Sequence, residues 1–149
     1  MAAFYHDTPL RVRYAETDKM GVVYHANYFP WFEEGRTNYM EAIGLSYPKL
    51  EDEGFYFPLL ECACQYKQPA RYGGWVIVRT WLEALKGLKV IAAYDVLDRE
   101  TGTLLAHGRT VHVFVDHDMR PVNMPRLHPE VWTALGERAG TPEGCSTGR

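Results

Sequence analysis

The stretch YAETDKMGVVYHANY, residues 14–28, combines an acid, a glycine turn and a histidine directly before a predicted helix. Asp18 can act as a base or as a nucleophile, and the free N–H groups at a helix N-terminus can stabilise a developing oxyanion. Together these parts suit acyl transfer. We therefore expect the chemistry of the chain to lie in this stretch.

The helix that follows is predicted to begin at Asn27, a good N-cap, and to end near Ile43, where Gly44 supplies a stop. Small and large apolar residues recur at spacings of three and four, which places them on one helical stripe that should face a sheet. The stripe comprises Tyr28, Phe32, Gly35, Tyr39 and Ala42. Its glycine costs roughly 1 kcal/mol of helix propensity relative to alanine, which indicates that another backbone approaches closely there.

Strand patterns lie on both sides of this helix. Segments rich in β-branched and aromatic residues, separated by glycine or proline, are typical of strands. They cover residues 10–14, 55–67, 74–85, 88–98 and 103–117. Four consecutive strands imply an antiparallel meander, and shorter helical segments are predicted over residues 48–53 and 129–139. One long helix against a twisted five-stranded antiparallel sheet is an α+β fold.

The composition bounds the architecture and the environment. With 149 residues, 46% of them hydrophobic, we expect a single domain over residues 1–139 and a disordered tail over residues 140–149. The absence of a long apolar run and of a signal pattern predicts a soluble cytoplasmic protein without a membrane span. A net charge of -3 gives no general attraction for nucleic acid.

The cysteines and histidines do not predict a disulfide framework or a metal site. Cys62 and Cys64 are too close along a strand to bridge easily, and both are predicted to be small core residues on one strand face. The spacing of five between His107, His112 and His117 alternates between strand faces, so the three cannot converge on one ion.

Two motifs carry a family resemblance. The run D-x-x-G-V-V-Y-H-A-N-Y at residues 18–28 and the run F-E-E-G-R-T at residues 32–37 resemble the hotdog-fold acyl-CoA thioesterases, in particular the YbgC and 4-hydroxybenzoyl-CoA thioesterase group. The resemblance covers residues 10–125. It implies a hotdog fold and an enzyme that hydrolyses acyl-CoA to a free acid and coenzyme A, with no metal or redox cofactor. It also implies a homodimer with a sheet continuous across subunits, which can pair into a homotetramer.

The resemblance also implies roles for three residues. Asp18 would be the catalytic carboxylate, attacking the carbonyl or activating a water. His25 would offer its N–H to the oxyanion and its side chain as a second donor, and Tyr14 would orient the acid or the water. From the residues alone, each role has a structural alternative: Asp18 is a turn residue, His25 caps the helix or packs at its start, and Tyr14 is a core aromatic residue.

Other carboxylates remain open as rivals to Asp18. Because Glu16 and Asp18 are two residues apart, both side chains can lie on the same side of an extended segment. In another branch of hotdog thioesterases a helix glutamate does this work, which keeps Glu33 and Glu34 as candidates. Among functions, the alternatives are a non-catalytic acyl-CoA-binding module or another hotdog enzyme such as a thioester dehydratase.

Coenzyme A carries phosphates, so its enzymes need nearby cations. Arg71, Lys86 and Lys89 are the expected contacts, because the two lysines flank a glycine turn and the arginine begins a loop. Solvated surface charge is the alternative for each. The sequence leaves the acyl group open, and the candidates for lining its pocket are Met40, Tyr47, Phe55 and Phe57.

Overall fold

The computed structural model describes residues 3–147. Five strands form one antiparallel sheet of order β1-β3-β4-β5-β2, and one long helix lies against it, which confirms the α+β hotdog architecture. The strands are β1 Tyr5–Arg11, β2 Leu59–Tyr66, β3 Trp75–Lys86, β4 Lys89–Asp98 and β5 Leu104–Val113. The helices are α1 Tyr28–Ala42, α2 Tyr47–Asp52, α3 Met124–Leu127 and α4 Pro129–Arg138, and 3₁₀ turns cover Tyr14–Glu16 and His25–Asn27. No helix within residues 3–147 is long and apolar enough to cross a membrane.

The inward stripe of α1 packs closely on the sheet. Phe32 stacks on Tyr94 of β4 with ring centres 4.5 Å apart, and a Cβ at Gly35 would lie 2.5 Å from Thr80 Oγ1. Gly35 is therefore required by close approach, although its neighbours are side chains of β3 rather than another backbone. Ala42 departs from the expected stripe, because it is the last residue of the helix and is exposed.

The strand order corrects two expectations. The first strand was expected over residues 10–14 but covers Tyr5–Arg11, and a 3₁₀ turn occupies Tyr14–Glu16 instead. The meander covers only β3, β4 and β5, whereas β2 pairs with β5 and forms the opposite edge. The β2–β3 connection carries Ala70, whose carbonyl accepts the Val23 N–H at 2.8 Å, so this segment pairs with the loop before α1.

The edge position of β2 also corrects the prediction for its cysteines. Cys62 is exposed and Cys64 is half-buried, so neither is a fully buried core residue. Burial of the half-buried thiol raises the pKa of Cys64 to about 11. Both cysteines are free thiols in this structure.

The sheet face opposite α1 is partly covered by the C-terminal segment. The Gly140 N–H donates to the Leu82 carbonyl at 2.9 Å, and the Ser146 N–H donates to Asp95 Oδ2 at 2.9 Å. Residues 140–147 are thus placed on the sheet rather than in the expected disordered tail, because the buried Asp95 carboxylate gains a hydrogen-bond donor from them. Residues 148 and 149 of that expected tail lie outside the described residues.

Candidate active site

A tight hairpin, residues 16–24, precedes α1 and carries the predicted acid. The Asp18 N–H donates to the Val22 carbonyl at 2.9 Å, and the Tyr24 N–H donates to the Glu16 carbonyl at 2.8 Å. The turn closes where the Gly21 N–H donates to the Asp18 carbonyl at 3.0 Å. Gly21 has φ +76°, a left-handed conformation that favours glycine. The hairpin therefore fixes the backbone at the predicted acid.

The Asp18 carboxylate has one engaged and one open oxygen. Its Oδ1 accepts the Met20 N–H at 2.8 Å, which is the arrangement of an Asx turn. Within residues 3–147, no donor binds Oδ2. The side chain is half-buried. Asp18 thus serves as a turn residue while keeping one carboxylate oxygen for chemistry.

The start of α1 leaves backbone donors open. Among residues 3–147, no carbonyl or side chain accepts the N–H of His25 or of Ala26. These amides lie at the positive end of the helix dipole, where an anionic oxygen is stabilised. The His25 ring is exposed and lies 4.3 Å from the Tyr24 ring, and the Tyr66 hydroxyl donates to the His25 carbonyl at 2.9 Å.

Asn27 is placed as predicted but does not cap the helix with its side chain. Its backbone is helical, with φ −72° and ψ −11°, and the side chain accepts no hydrogen bond from the first helical turn. Instead, Asn27 Nδ2 donates to the Glu16 carbonyl at 2.8 Å. This bond ties the start of α1 to the hairpin.

Glu16 has a role that the sequence analysis did not predict. It is only 7% exposed, and both carboxylate oxygens are engaged: Oε1 accepts the Arg13 N–H at 2.7 Å and Oε2 accepts Trp31 Nε1–H at 2.8 Å. Glu16 therefore fastens the hairpin to α1 and has no oxygen free for the substrate. Because its indole partner lies 15 residues away, no local motif indicated the pairing.

Of the remaining predicted site residues, Tyr14 and Arg71 lie beside the hairpin, whereas Lys86 and Lys89 lie at the β3–β4 turn. Tyr14 is 78% exposed and makes an edge contact with Tyr72, with ring centres 5.6 Å apart. Arg71 pairs with Val22 in an antiparallel bridge, which places it beside the hairpin.

Lys86 and Lys89 lie at the β3–β4 turn, at the other end of the 12-residue strand β3. At about 3.3 Å per residue, this end lies about 35 Å along the strand from its start near Arg71. Within one copy of the chain, Arg71 and the two lysines therefore lie at opposite ends of β3.

A second feature is a cleft of about 160 Å³ between α1 and α2, and its lining includes three of the four residues predicted to line an acyl pocket, Tyr47, Phe55 and Phe57. Met40 is fully buried and does not line it. Glu33 is exposed at this cleft, and Glu34 is exposed beside it on α1.

Arg36, which the sequence analysis did not single out, reaches the cleft from α1. Its Nε donates to the Tyr47 hydroxyl at 2.8 Å and its Nη1 donates to the Tyr94 hydroxyl at 3.0 Å. Burial raises the pKa of Tyr47 to about 12, so this phenol stays protonated at neutral pH.

The chain is similar to known thioesterases over most of its length. The family model described as "Thioesterase-like superfamily" matches residues 12–135. The putative acyl-CoA thioesterase YneP of Bacillus subtilis is 36% identical over 131 residues, which cover 87% of this chain and 94% of that protein. The acyl-CoA thioester hydrolase YbgC of Escherichia coli is 30% identical over 79% of this chain and 88% of that protein. The solved DHNA-CoA thioesterase of Staphylococcus aureus is 36% identical, with a TM-score of 0.82 over 90% of this chain and 89% of that chain.

Proposed function

The chain belongs to the thioesterase-like superfamily, and from that premise we propose that it hydrolyses an acyl-CoA thioester to a free carboxylic acid and coenzyme A. The observation that carries the proposal is the arrangement at the start of α1. One hairpin holds the open Asp18 Oδ2 and leads directly into the open amides of His25 and Ala26. A reactive carboxylate close in the chain to an oxyanion site is what acyl transfer from a thioester needs.

In the proposed reaction, the substrate carbonyl oxygen accepts hydrogen bonds from the His25 and Ala26 amides. Asp18 then acts in one of two ways. It attacks the carbonyl carbon, which expels the coenzyme A thiolate and leaves a mixed anhydride that water hydrolyses. Alternatively, it takes a proton from a water that attacks the same carbon, and that proton passes to the departing thiolate. Both routes consume one water and give one acid and one thiol.

Tyr14 and Arg71 take positions beside this centre in the proposal. The Tyr14 hydroxyl bonds to no other residue from 3 to 147, so its proposed part is an aromatic wall with Tyr72 at the entrance. Arg71 adjoins the hairpin and is the proposed phosphate contact. Lys86 and Lys89 lie at the far end of β3 from Arg71 within one copy of the chain, and they stay proposed phosphate contacts.

We include self-association in the proposal. Among residues 3–147, strand β2 pairs only with β5, and its other edge is exposed together with the side chains of Leu59 and Leu60. An exposed strand edge is a ready template for pairing with another chain. A second copy that pairs edge to edge would give a homodimer with a continuous sheet, and two dimers could form a homotetramer.

Asp18→Asn tests the chemistry most directly. We expect hydrolysis to fall by about 10²–10⁴-fold, with acyl-CoA binding nearly unchanged, because the amide keeps the Asx turn but cannot act as a base or nucleophile. Glu33→Gln and Glu34→Gln are the matched controls and should keep the wild-type rate. Thiol release is measured across aromatic, short and long acyl-CoAs, which also reports the acyl preference.

Two outcomes would contradict this assignment. Loss of activity in a glutamate variant, with Asp18→Asn still active, would move the reaction to the helix carboxylate. A wild-type protein that binds acyl-CoA but releases no thiol from any member of the panel would be a binding module instead.

A further inference from the structure

The hydroxyl of Tyr66, the last residue of strand β2, reaches the start of α1. It donates to the His25 carbonyl at 2.9 Å, a hydrogen bond between residues 41 positions apart in the chain. The Tyr66 ring also makes edge contacts with two neighbouring rings, that of Tyr28 at 5.1 Å between centres and that of His25 at 6.4 Å. These contacts hold the hydroxyl against the backbone that carries the open amides.

This hydrogen bond acts on the peptide unit that bears one of the two open amides. The His25 carbonyl and the Ala26 N–H belong to the same peptide bond, and within residues 3–147 every peptide bond is trans. The C=O and the N–H of a trans peptide point in opposite directions. When Tyr66 binds the carbonyl, it therefore also fixes the direction of the Ala26 N–H, which no group from residues 3 to 147 accepts.

The hydroxyl also affects the strength of that amide as a donor. Hydrogen bonds that share a peptide polarise one another, so a donor on the carbonyl makes the N–H of the same peptide a better donor. The Tyr28 N–H also donates to the His25 carbonyl within the 3₁₀ turn, so the hydroxyl is the second of two donors on this oxygen. Burial, together with the nearby Cys64 thiol, raises the pKa of Tyr66 to about 12, so the phenol keeps its proton at neutral pH.

We propose that Tyr66 is a positioning residue for thioester hydrolysis: its hydroxyl orients and polarises the peptide between His25 and Ala26, so that the Ala26 N–H donates to the oxyanion of the tetrahedral intermediate. This inference rests on the proposed function, because the oxyanion arises only when a thioester is attacked at this site. Tyr66 acts through the peptide and not on the substrate itself. The alternative is a purely structural role, in which the hydroxyl only fastens the end of β2 to the start of α1.

Thiol release by Tyr66→Phe tests this role, because phenylalanine keeps the ring and removes only the hydroxyl. We expect kcat to fall about five- to tenfold with KM nearly unchanged, since the oxyanion forms only during the reaction. Loss of an oxyanion donor itself costs about 10²–10³-fold, and the effect here is smaller because the Ala26 N–H remains. Tyr5→Phe is the matched control: Tyr5 begins the opposite edge strand β1, is 40% exposed against 47% for Tyr66, and should keep the wild-type rate.

Tyrosine analogues with one or two ring fluorines at position 66 separate positioning from fastening. Fluorine withdraws electrons from the hydroxyl and makes it a stronger donor, so kcat should rise with the number of fluorines at a pH where the phenol is protonated. A purely structural role predicts an unchanged kcat across this series. A nonreactive thioether analogue of acyl-CoA should bind equally to the wild type and to Tyr66→Phe, because it forms no oxyanion.

Thermal unfolding checks that each variant is folded, and if Tyr66→Phe does not fold, the fluorine series decides alone. The role of Tyr66 is overturned if Tyr66→Phe keeps the wild-type kcat, if only KM or the binding of the thioether changes, or if kcat does not respond to fluorine. Failure of the proposed function gives a different result: the wild type itself then releases no thiol from any acyl-CoA, and the role of Tyr66 is overturned with it.

Discussion

Glu16 and Asp18 are two residues apart in one hairpin and have opposite surroundings. Both oxygens of Glu16 accept short hydrogen bonds from buried or part-buried donors, whereas Asp18 keeps one oxygen open. A buried carboxylate whose oxygens both accept hydrogen bonds stabilises the structure, whereas a carboxylate with one unbonded oxygen can still contact a ligand. The division between a structural and a reactive acid therefore follows from hydrogen bonding rather than from residue type.

Glu16→Gln should destabilise the fold. The amide can accept at only one of its two terminal atoms, so its NH₂ group must face either the Arg13 N–H or the Trp31 Nε1–H. We expect a loss of about 1–3 kcal/mol in the free energy of unfolding, measured by chemical denaturation. Glu34→Gln, on the exposed side of α1, is the control and should stay within about 0.5 kcal/mol. An unchanged denaturation midpoint in Glu16→Gln would show that the hairpin does not depend on this carboxylate.

His112 should make stability depend on pH. Burial, together with the nearby Arg36 cation, lowers the pKa of His112 to about 3, while its Nε2 lies 2.8 Å from Thr110 Oγ1. The unfolded chain, with a histidine pKa near 6.5, takes up the proton first. The contribution of the neutral ring is therefore complete above about pH 6.5 and is lost as the pH falls toward 3, by at most about 1.4 kcal/mol per pH unit.

Denaturation between about pH 7 and pH 5 checks this dependence. His112→Gln has no titrating group at this position, so its free energy of unfolding should fall less steeply than that of the wild type. His117→Gln, at an exposed position, should follow the wild-type slope. Equal slopes in all three proteins would refute a buried neutral His112.

The sequence could identify a site residue only where the residues that act with it lie nearby along the chain. Asp18 and His25 lie in one continuous motif, so their neighbourhood was visible locally. The Arg36–Tyr94 hydrogen bond joins residues 58 positions apart, and the sequence offers no spacing that pairs them. Burial and partners of this kind appear only once the helix is placed on the sheet.

At the level of elements, Gly35 sets the distance between α1 and β3. Gly35→Ala would gain up to about 1 kcal/mol of helix propensity, but its Cβ would lie 2.5 Å from Thr80 Oγ1 and 2.8 Å from Val78 Cγ1. Overpacking of this kind costs about 1–3 kcal/mol. We therefore expect a net loss of stability, measured as a lower melting temperature.

Gly136→Ala in α4 is the matched control for Gly35→Ala. Its Cβ would meet only Leu85 Cδ1, at 3.6 Å, which is an ordinary contact. Here helix propensity should dominate and raise the melting temperature slightly. If both alanine variants changed stability in the same direction, steric approach at Gly35 would not be the deciding factor.

The position of each strand along the chain could be predicted from the sequence, but the order of the strands in the sheet could not. Local β-branched and aromatic content placed β3, β4 and β5 to within a few residues, and short turns made them neighbours. Strand β2 is followed by a longer connection, which pairs with the hairpin and lets β2 join the far edge of the sheet. Pairing across such a connection is decided by tertiary contacts, which the local pattern does not encode.

For the whole molecule, the C-terminal segment acts as a cover on the sheet face opposite α1. Asp95 Oδ1 lies 2.8 Å from His107 Nδ1 in a buried pair, and Asp95 Oδ2 accepts the Ser146 N–H. Truncation after Ala139 removes that donor and exposes the pair, so we expect a loss of about 1–3 kcal/mol in the free energy of unfolding. Truncation after Thr147 keeps both hydrogen bonds of the segment and serves as the control. Equal denaturation curves for the two truncated proteins would show that the cover contributes no stability.

In the proposed self-association, copies of the chain pair through the free edge of β2. Leu60 and Cys62 are exposed on this edge strand, and a lysine on an edge strand blocks pairing because it brings charge to the contact. Leu60→Lys/Cys62→Lys should therefore shift the protein toward monomer in sedimentation velocity, without loss of secondary structure. Leu127→Lys, an equally exposed leucine on α3, is the control and should keep the wild-type state. If the edge variant sediments like the wild type, association uses another surface; if it is monomeric and also loses thiol release, the complete active site requires both copies.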